Sequence, residues 1–573
     1  MCGFVCIVRK NKDSKTSNLD QIPNDLLSHR GPDFTSEVQY ENISIRHWRL
    51  SIVDLTESSN QPIVDEKYIF VYNGEVYDYK KIIKQSGIDI NSDTLAVRSL
   101  VDSTKGMNQL YSSPGFFSFL LISKEKKTVF GSRDIFGKKP LFYFIDDDVA
   151  IFSSEERGIF PFVGEKKINK DSLKEYFLYK DTFNGKSFFN GIQEIPPGSN
   201  FLFDKKSWSI KFSDSWENYY KRDFSENFSN IFPTSYFDKE DINFSLEKNL
   251  EEAIDRRLSC DVPVQIGLSG GIDSTLVAIL AAKSNFSDNI NKAINVSFLD
   301  GIDESHEAKK TSRSLNLNFT KINFEISNFI EMMKFAVKNF NGPLSHPHSL
   351  AVLEMCKEVR KSGKVLLTGE GADELFFGYN QYNNFNDNSF AFREYLTPLE
   401  EKSFTHKTRS IKNAFDEIRK DSILELGKKA NKSEYNSRDL EIKTHLISLL
   451  KRNDRMGMAH SVEIRCPFLD HNIFKFIYNM DQDKLLSEKK NYLRKAVYKL
   501  YPELSYERKK LGFIVPYDKN YLEIIQHYEG KRWVENAIDY IRDNFKISLI
   551  DKKCLTPRIS WTMLNIGCFL DSI

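Results

Sequence analysis

No two cysteines in this 573-residue chain are spaced as C-x-x-C. The seven present, Cys2, Cys6, Cys260, Cys356, Cys466, Cys554 and Cys568, are scattered and odd in number, which argues against a zinc site or a disulfide framework. A reducing cytoplasm fits that usage. No run of about 18 apolar residues occurs, so no membrane-spanning helix is expected, and the start lacks the basic-then-apolar pattern of a secretory signal. Charge of one sign is missing as well. Lys and Arg number 81 against 80 Asp and Glu, a formal net charge of +1, so no global field recruits nucleic acid or an anionic membrane. Internal repeats and long low-complexity tracts are absent, and so is the G-x-x-x-x-G-K-[ST] pattern of a Walker-type phosphate loop.

What is present describes an ordinary globular chain, 40% hydrophobic and 28% charged, long enough for roughly two to four domains. The first two hundred residues hold short apolar runs between turn signals: Phe4–Val8, Ile43–Ile45, Tyr68–Tyr72, Phe116–Ile122, Leu141–Ile145, Val149–Phe152 and, after Pro196-Pro197-Gly198, Asn200–Phe203. These predict many strands and few long helices. A polar, aromatic stretch without period then marks a linker. Beyond it, a helix over Phe244–Arg257, a strand over Val264–Leu268, a helix over Thr275–Lys283 and strands over Ala293–Leu299 and Lys364–Thr368 predict a parallel sheet covered by helices.

Two loops stand out in that second part. Ser269-Gly270-Gly271-Ile272-Asp273-Ser274 follows a strand and opens a helix, where glycines let backbone N–H groups approach a phosphate. Asp273 there would repel phosphate unless a cation intervenes, and magnesium suits one or two carboxylates plus phosphate oxygens. Leu367-Thr368-Gly369-Glu370-Gly371-Ala372-Asp373-Glu374 also ends a strand, so in an open parallel sheet both loops face one crevice. At the other end of the chain stands Met1-Cys2-Gly3. Removal of Met1 puts a thiol and a free α-amine on Cys2, and an amine of pKa about 7.7–8.0 accepts a thiol proton near neutrality.

The Ser-Gly-Gly-x-Asp-Ser loop resembles that of the PP-loop ATP pyrophosphatases. With Gly369–Glu374, Asp454-Arg455-Met456-Gly457-Met458-Ala459-His460-Ser461-Val462-Glu463, Arg465, Pro467-Phe468-Leu469-Asp470, Lys490-Asn491-Tyr492-Leu493-Arg494 and Arg508–Phe513, the chain resembles the glutamine-hydrolysing asparagine synthetases. The first half is similar to class II glutamine amidotransferase domains through His29-Arg30-Gly31-Pro32-Asp33, Arg49–Asp54, Asn73-Gly74-Glu75, Ser92-Asp93-Thr94, Arg133–Leu141 and Ser154-Glu155.

The resemblance implies an N-terminal αββα sandwich of the N-terminal-nucleophile hydrolase type over 1–205 and a linker over 206–243. A doubly wound PP-loop domain with extra helices would fill 244–573. It implies Cys2 as nucleophile, with Asn73 and Gly74 facing the oxyanion. Arg49, Ile52, Val53, Asn73, Gly74, Glu75 and Asp93 would bind glutamine, Arg49 at its α-carboxylate and Asp93 at its α-ammonium. Gly267, Ser269, Gly270, Gly271, Asp273, Ser274, Val296, Thr368 and Gly369 would contact ATP. Asp273 and Asp373 would bind Mg2+, Glu370 would be the base toward ammonia, and Lys490 would stabilise negative charge. Taken alone, Asn73-Gly74 reads as a hairpin turn, Arg49 as a surface ion pair and Lys490 as a solvated lysine.

The implied reaction hydrolyses glutamine and passes ammonia to an adenylated carboxylate. Aspartate is the expected acceptor, with another carboxylate, such as a uronic-acid sugar, as the alternative. No nucleic-acid or membrane partner is expected, and a homodimer is compatible. The chain departs from the family at Asn341-Gly342-Pro343-Leu344-Ser345-His346-Pro347-His348-Ser349, where acidic positions are missing and His346 and His348 stand. Two further readings, an RNA-modifying PP-loop enzyme and a catalytically silent binding protein, fit less of the chain.

Overall fold

The computed structural model describes residues 2–11, 22–86, 92–182, 185–213, 239–298, 303–379, 398–407, 410–417, 442–478, 480, 482–504, 523–550 and 554–573. The Arg508–Phe513 motif lies outside the described residues.

The first half is two antiparallel sheets face to face. Strands β1 (Cys2–Arg9), β2 (Phe34–Tyr40) and β3 (Ile43–Arg49) belong to the first sheet, and β4 (Ile63–Val64), β5 (Tyr68–Val76), β6 (Gly115–Ser123) and β7 (Thr128–Arg133) to the second. Strands β8 (Phe142–Ile145), β9 (Val149–Ser153) and β10 (Gln193–Glu194) return to the first, in the order β10-β8-β9-β1-β3-β2. The second is completed by β11 (Asn200–Asp204) and β12 (Ser209–Ser213). Side chains alternate across a strand, and β1 uses both faces. Phe4, Cys6 and Val8 meet Ile69, Val71, Leu120 and Phe152 between the sheets. Val5 and Ile7 point outward to Leu173, Tyr176 and Phe177 of the helix Lys170–Tyr179. Outside the second sheet, Phe70, Tyr72 and Phe119 cover Ile82, Val97 and Leu110 from the helices Tyr79–Ser86, Asp93–Leu100 and Thr104–Ser112. The layering is helix, sheet, sheet, helix, as expected.

Two local expectations change. Asn73-Gly74 is no hairpin turn: both residues continue β5, paired with Ser118 and Phe117. Residues 206–213, assigned above to the linker, carry β12, which pairs with β11 in register from Asn200↔Ser213 to Asp204↔Ser209. Ile210 and Phe212 alternate with polar residues over only five positions, and none of the five is fully buried, so this short edge strand was missed.

The second half holds a five-stranded parallel sheet. Strands β13 (Val264–Gly267), β14 (Ile290–Phe298), β15 (Phe319–Phe324), β16 (Val365–Leu367) and β18 (Glu463–Arg465) lie in the order β15-β14-β13-β16-β18. The small pair β17 (Phe404–His406) and β19 (Ile547–Leu549) lies apart from it. Sheet order reverses at β13 and β16, which pair as Ile266↔Leu367, so the two glycine loops leave adjacent strand ends in the same direction. The helix Ile272–Lys283 after β13 is buried from Ser274 through Ala281, which explains its nearly uninterrupted apolar sequence.

The halves share a core and buried charges. Phe136 meets Phe474 edge-on at 5.1 Å. Arg465 bonds Glu75 across the boundary at 2.5 Å, Lys138 Nζ donates to the Ile464 carbonyl at 2.6 Å, and Lys364 pairs with Asp33 at 2.7 Å.

Candidate active site

The glutamine-side residues come together at the mouth of the sandwich. Cys2 opens the central strand β1, opposite Arg49 of β3. Cys2, Arg49, Ile52, Val53, Gly74, Glu75, Asp93 and Tyr72 line one cleft. Asn73 is fully buried beneath it, and its Oδ1 accepts the Cys2 N–H at 3.1 Å. Its Nδ2 has no hydrogen-bond partner among the described residues, an arrangement that leaves a donor beside the thiol. A side chain at Gly74 would press to 2.4 Å of the Phe116 carbonyl, so only glycine fits there.

Arg49 is a wall of the cleft, not a surface residue. Its guanidinium donates to the Thr56 carbonyl at 2.6 Å, to Asn60 Oδ1 at 2.8 Å and to the Asp54 carbonyl. Asp93 opens the helix Asp93–Leu100 behind the cap Ser92 and accepts from the Tyr72 hydroxyl at 3.1 Å. Burial pushes its carboxyl above the usual range. A cation arriving beside it would restore the charged form.

Around the nucleotide-type loops, Ser274 Oγ ties the first loop into a ring. It accepts from Ser269 N at 3.2 Å, lies 2.9 Å from Ser269 Oγ and donates to the Gly271 carbonyl at 3.1 Å. Gly270 adopts φ +84°, and a Cβ there would lie 2.9 Å from the Glu304 carbonyl. The two loops touch, since a Cβ on Gly369 would fall 3.0 Å from Asp273 Cβ and from Ser274 N. Thr368 is held by its N–H to the Arg465 carbonyl at 2.9 Å. Gly267 ends β13 beside Thr368, whereas Val296 lies buried in β14, past Ile294, the partner of Gly267.

Lys490 is buried and caps the helix Asn491–Leu500, which overturns its reading as a solvated lysine. Its ammonium bonds Asp273 and, at 2.5 Å, Asp373. Burial works against that charge, but the two carboxylates outweigh it and hold the ammonium more firmly protonated than an ordinary lysine. The two carboxylates converge on the point that the Lys490 ammonium occupies, and they are the oxygen donors that Mg2+ takes together with phosphate oxygens. Glu370 accepts from Arg452 Nη2 at 2.7 Å.

Sequence reasoning missed several neighbours. Arg452 reaches Glu370 from a distant helix. Gly378 leaves room for Lys490: a Cβ there would lie 2.0 Å from Asp373 Oδ1 and 2.3 Å from Lys490 Cε. His445 meets His346 edge-on at 5.3 Å and Tyr379 at 5.8 Å, and Tyr379 donates to Glu374 at 2.5 Å. His346 and His348 stack at 5.5 Å, and desolvation, with the charge of Arg452, holds His348 neutral at about 3. No group of three or more metal-ligating side chains forms among the described residues.

Two family models match the chain. Residues 245–553 match the asparagine synthase family, and residues 1–216 match the glutamine amidotransferase domain. The chain belongs to the asparagine synthase family. Among its relatives is a glutamine-hydrolysing asparagine synthetase 1 of Bacillus subtilis (strain 168), 28% identical over 98% of this chain and 95% of its own length. A glutamine-hydrolysing asparagine synthetase 3 from the same bacterium is 26% identical over 97% and 92%. A protein named Amidase chry2, from Gibberella zeae, is 25% identical over 86% and 84%. The relatives thus carry more than one activity name.

Proposed function

We propose that this enzyme is an ATP-dependent, glutamine-hydrolysing amide synthetase of two domains, residues 1–213 and 239–573, with aspartate as its acceptor. The observation that carries the reading is the joint arrangement of a Cys2 cleft and a Lys490–Asp273–Asp373 cluster in one packed molecule. The Cys2 thiol attacks the glutamine side-chain amide, its proton passing to the α-amine freed when Met1 is removed. Asn73 Nδ2 and the Gly74 N–H take the oxyanion, Arg49 and Asp93 hold the two ends of the amino acid, and Ile52, Val53 and Glu75 shape the cleft. The tetrahedral intermediate collapses to a thioester and ammonia, and water then releases glutamate.

In the second half, the loop Ser269–Ser274 with Gly267, Val296, Thr368 and Gly369 binds ATP. Asp273 and Asp373 are the residues that would hold Mg2+, which supplies neutralising charge at the phosphates. The acceptor carboxylate displaces pyrophosphate to give an acyl-adenylate, Lys490 stabilising the charge that develops. Ammonia attacks that carbonyl, Glu370 accepts the surplus proton, and AMP leaves with the amide formed.

Incubation with glutamine, ATP, magnesium and aspartate, followed by mass analysis, is expected to yield asparagine, glutamate, AMP and pyrophosphate. No asparagine and no aspartate-dependent pyrophosphate overturns aspartate as acceptor. The stacked His346 and His348, with His445 and Tyr379 beside them, favour a second acceptor: a carboxylate on a ring-bearing body, such as a uronic acid. Amidation of that compound in place of aspartate would establish it.

A further inference from the structure

The helix Ile447–Met458 belongs to the second half, yet its Asp454 binds the arginine that holds the first strand of the chain. Arg30 is fully buried, and its Nε–H donates to the Cys2 carbonyl at 3.1 Å. The same guanidinium forks onto Asp454, Nη1 to Oδ2 at 2.8 Å and Nη2 to Oδ1 at 3.1 Å. Glu155 accepts a further bond from Nη1 at 2.7 Å. Two positions before Asp454 on that helix, Arg452 donates to Glu370 at 2.7 Å, and Asn453 Nδ2 reaches the same oxygen at 3.5 Å. One helix thus reaches the backbone of the thiol residue through Asp454 and Arg30, and the proposed base through Arg452.

A second tie runs parallel to the first. Glu75, beside Asn73 and Gly74, pairs with Arg465 at 2.5 Å. The carbonyl of Arg465 accepts the N–H of Thr368 at 2.9 Å. Both routes start at the Cys2 cleft and end on the loop 368–370. Bidentate guanidinium–carboxylate pairs fix orientation as well as distance, and close packing leaves such a pair few intermediate positions.

We infer that Arg30 and Asp454 are positioning residues that couple the state of Cys2 to the placement of Glu370 and its loop. Filling the thiol cleft then changes how the second half holds its nucleotide. The inference rests on the proposed function for the assignment of the two sites. Neither residue touches a substrate in that reading; each acts through the helix.

The test uses the full-length enzyme with Cys2 labelled by 6-diazo-5-oxo-L-norleucine, which forms a carbon–sulfur bond with loss of dinitrogen. Magnesium with α,β-methylene-ATP is titrated by calorimetry before and after labelling. The wild type is expected to change its Kd by about fivefold or more on labelling. In Asp454→Asn the labelled and unlabelled forms are expected to agree within about twofold, while the unlabelled Kd stays within about threefold of wild type. A residue that only supports the fold would shift both states alike and leave their ratio intact.

A wild-type ratio of one, or a ratio retained in Asp454→Asn, overturns the inference. Should that variant not fold, amide exchange in the wild type decides: labelling is expected to alter rates over 368–376, and unchanged rates there overturn it. Failure of Cys2 to take the label, or of the protein to bind the nucleotide, overturns the proposed function itself and the inference with it.

Discussion

A single carboxylate shows how much the surroundings of a residue decide. Asp93 sits in a cleft with its charge disfavoured by burial, accepting from the Tyr72 hydroxyl and the Thr94 N–H, so in the proposed reading an incoming ammonium favours its charged form. Asp93→Asn is expected to raise the KM for glutamine about ten- to a hundredfold, the worth of one charge-assisted bond. Synthesis supplied with ammonia should be unaffected, and steady-state rates with each nitrogen source check this. At the other centre the informative residue is a glycine. Gly378→Ala places a methyl on Asp373 Oδ1 and Lys490 Cε. It is expected to lower pyrophosphate formation about tenfold or more by displacing the charge cluster, with glutaminase activity retained.

Among the elements, the strands were the more legible in sequence because alternation is a local signal. Strand β1 could be placed from Phe4–Val8, and the structure extends it to Cys2 at one end and Arg9 at the other. Edge strand β12 was missed, because its alternation, Ile210 and Phe212 between polar residues, runs over only five positions on a strand open to solvent. The helix Ile272–Lys283 begins earlier than its apolar stretch suggested, so that Asp273 lies in its first turn. Its burial has a measurable consequence. Leu280 is 2% exposed within the shared core, and Leu280→Ala is expected to cost about 2–5 kcal/mol in denaturant unfolding, from lost contacts and the cavity left behind. A midpoint equal to that of the wild type would contradict the packing.

Over the whole molecule, buried histidines weaken the fold in acid, His47 and His471 together with the His348 described above. His47 and His471 are held uncharged by burial, each at about 3. In the unfolded chain they take up protons around the ordinary value of 6.5. The unfolded state therefore binds more protons between those values, and stability falls as pH drops below about 6.5. Asp470 works against burial, yet Arg257 and Arg256 hold its carboxyl below the usual range. Its contribution is present above the ordinary carboxylate value and is lost only as pH falls further. Urea midpoints at about pH 7.5 and about pH 5.5 should show the loss, the lower value at the lower pH. A His471→Gln variant should show a smaller difference between the two.

What the sequence determined by itself was local: the thiol behind Met1, two glycine loops at strand ends, the strand-rich first half and the β–α alternation of the second. Each depends on residues near one another in the chain, where backbone geometry and hydrophobic period leave a readable pattern. Only the tertiary structure decided which distant groups meet. Lys490 lies 217 residues from the Asp273 it bonds, and Arg30 lies 424 from Asp454. Burial gives those pairs their strength, and burial is a property of the packed molecule; an isolated lysine or arginine in the sequence carries no mark of the carboxylate that awaits it.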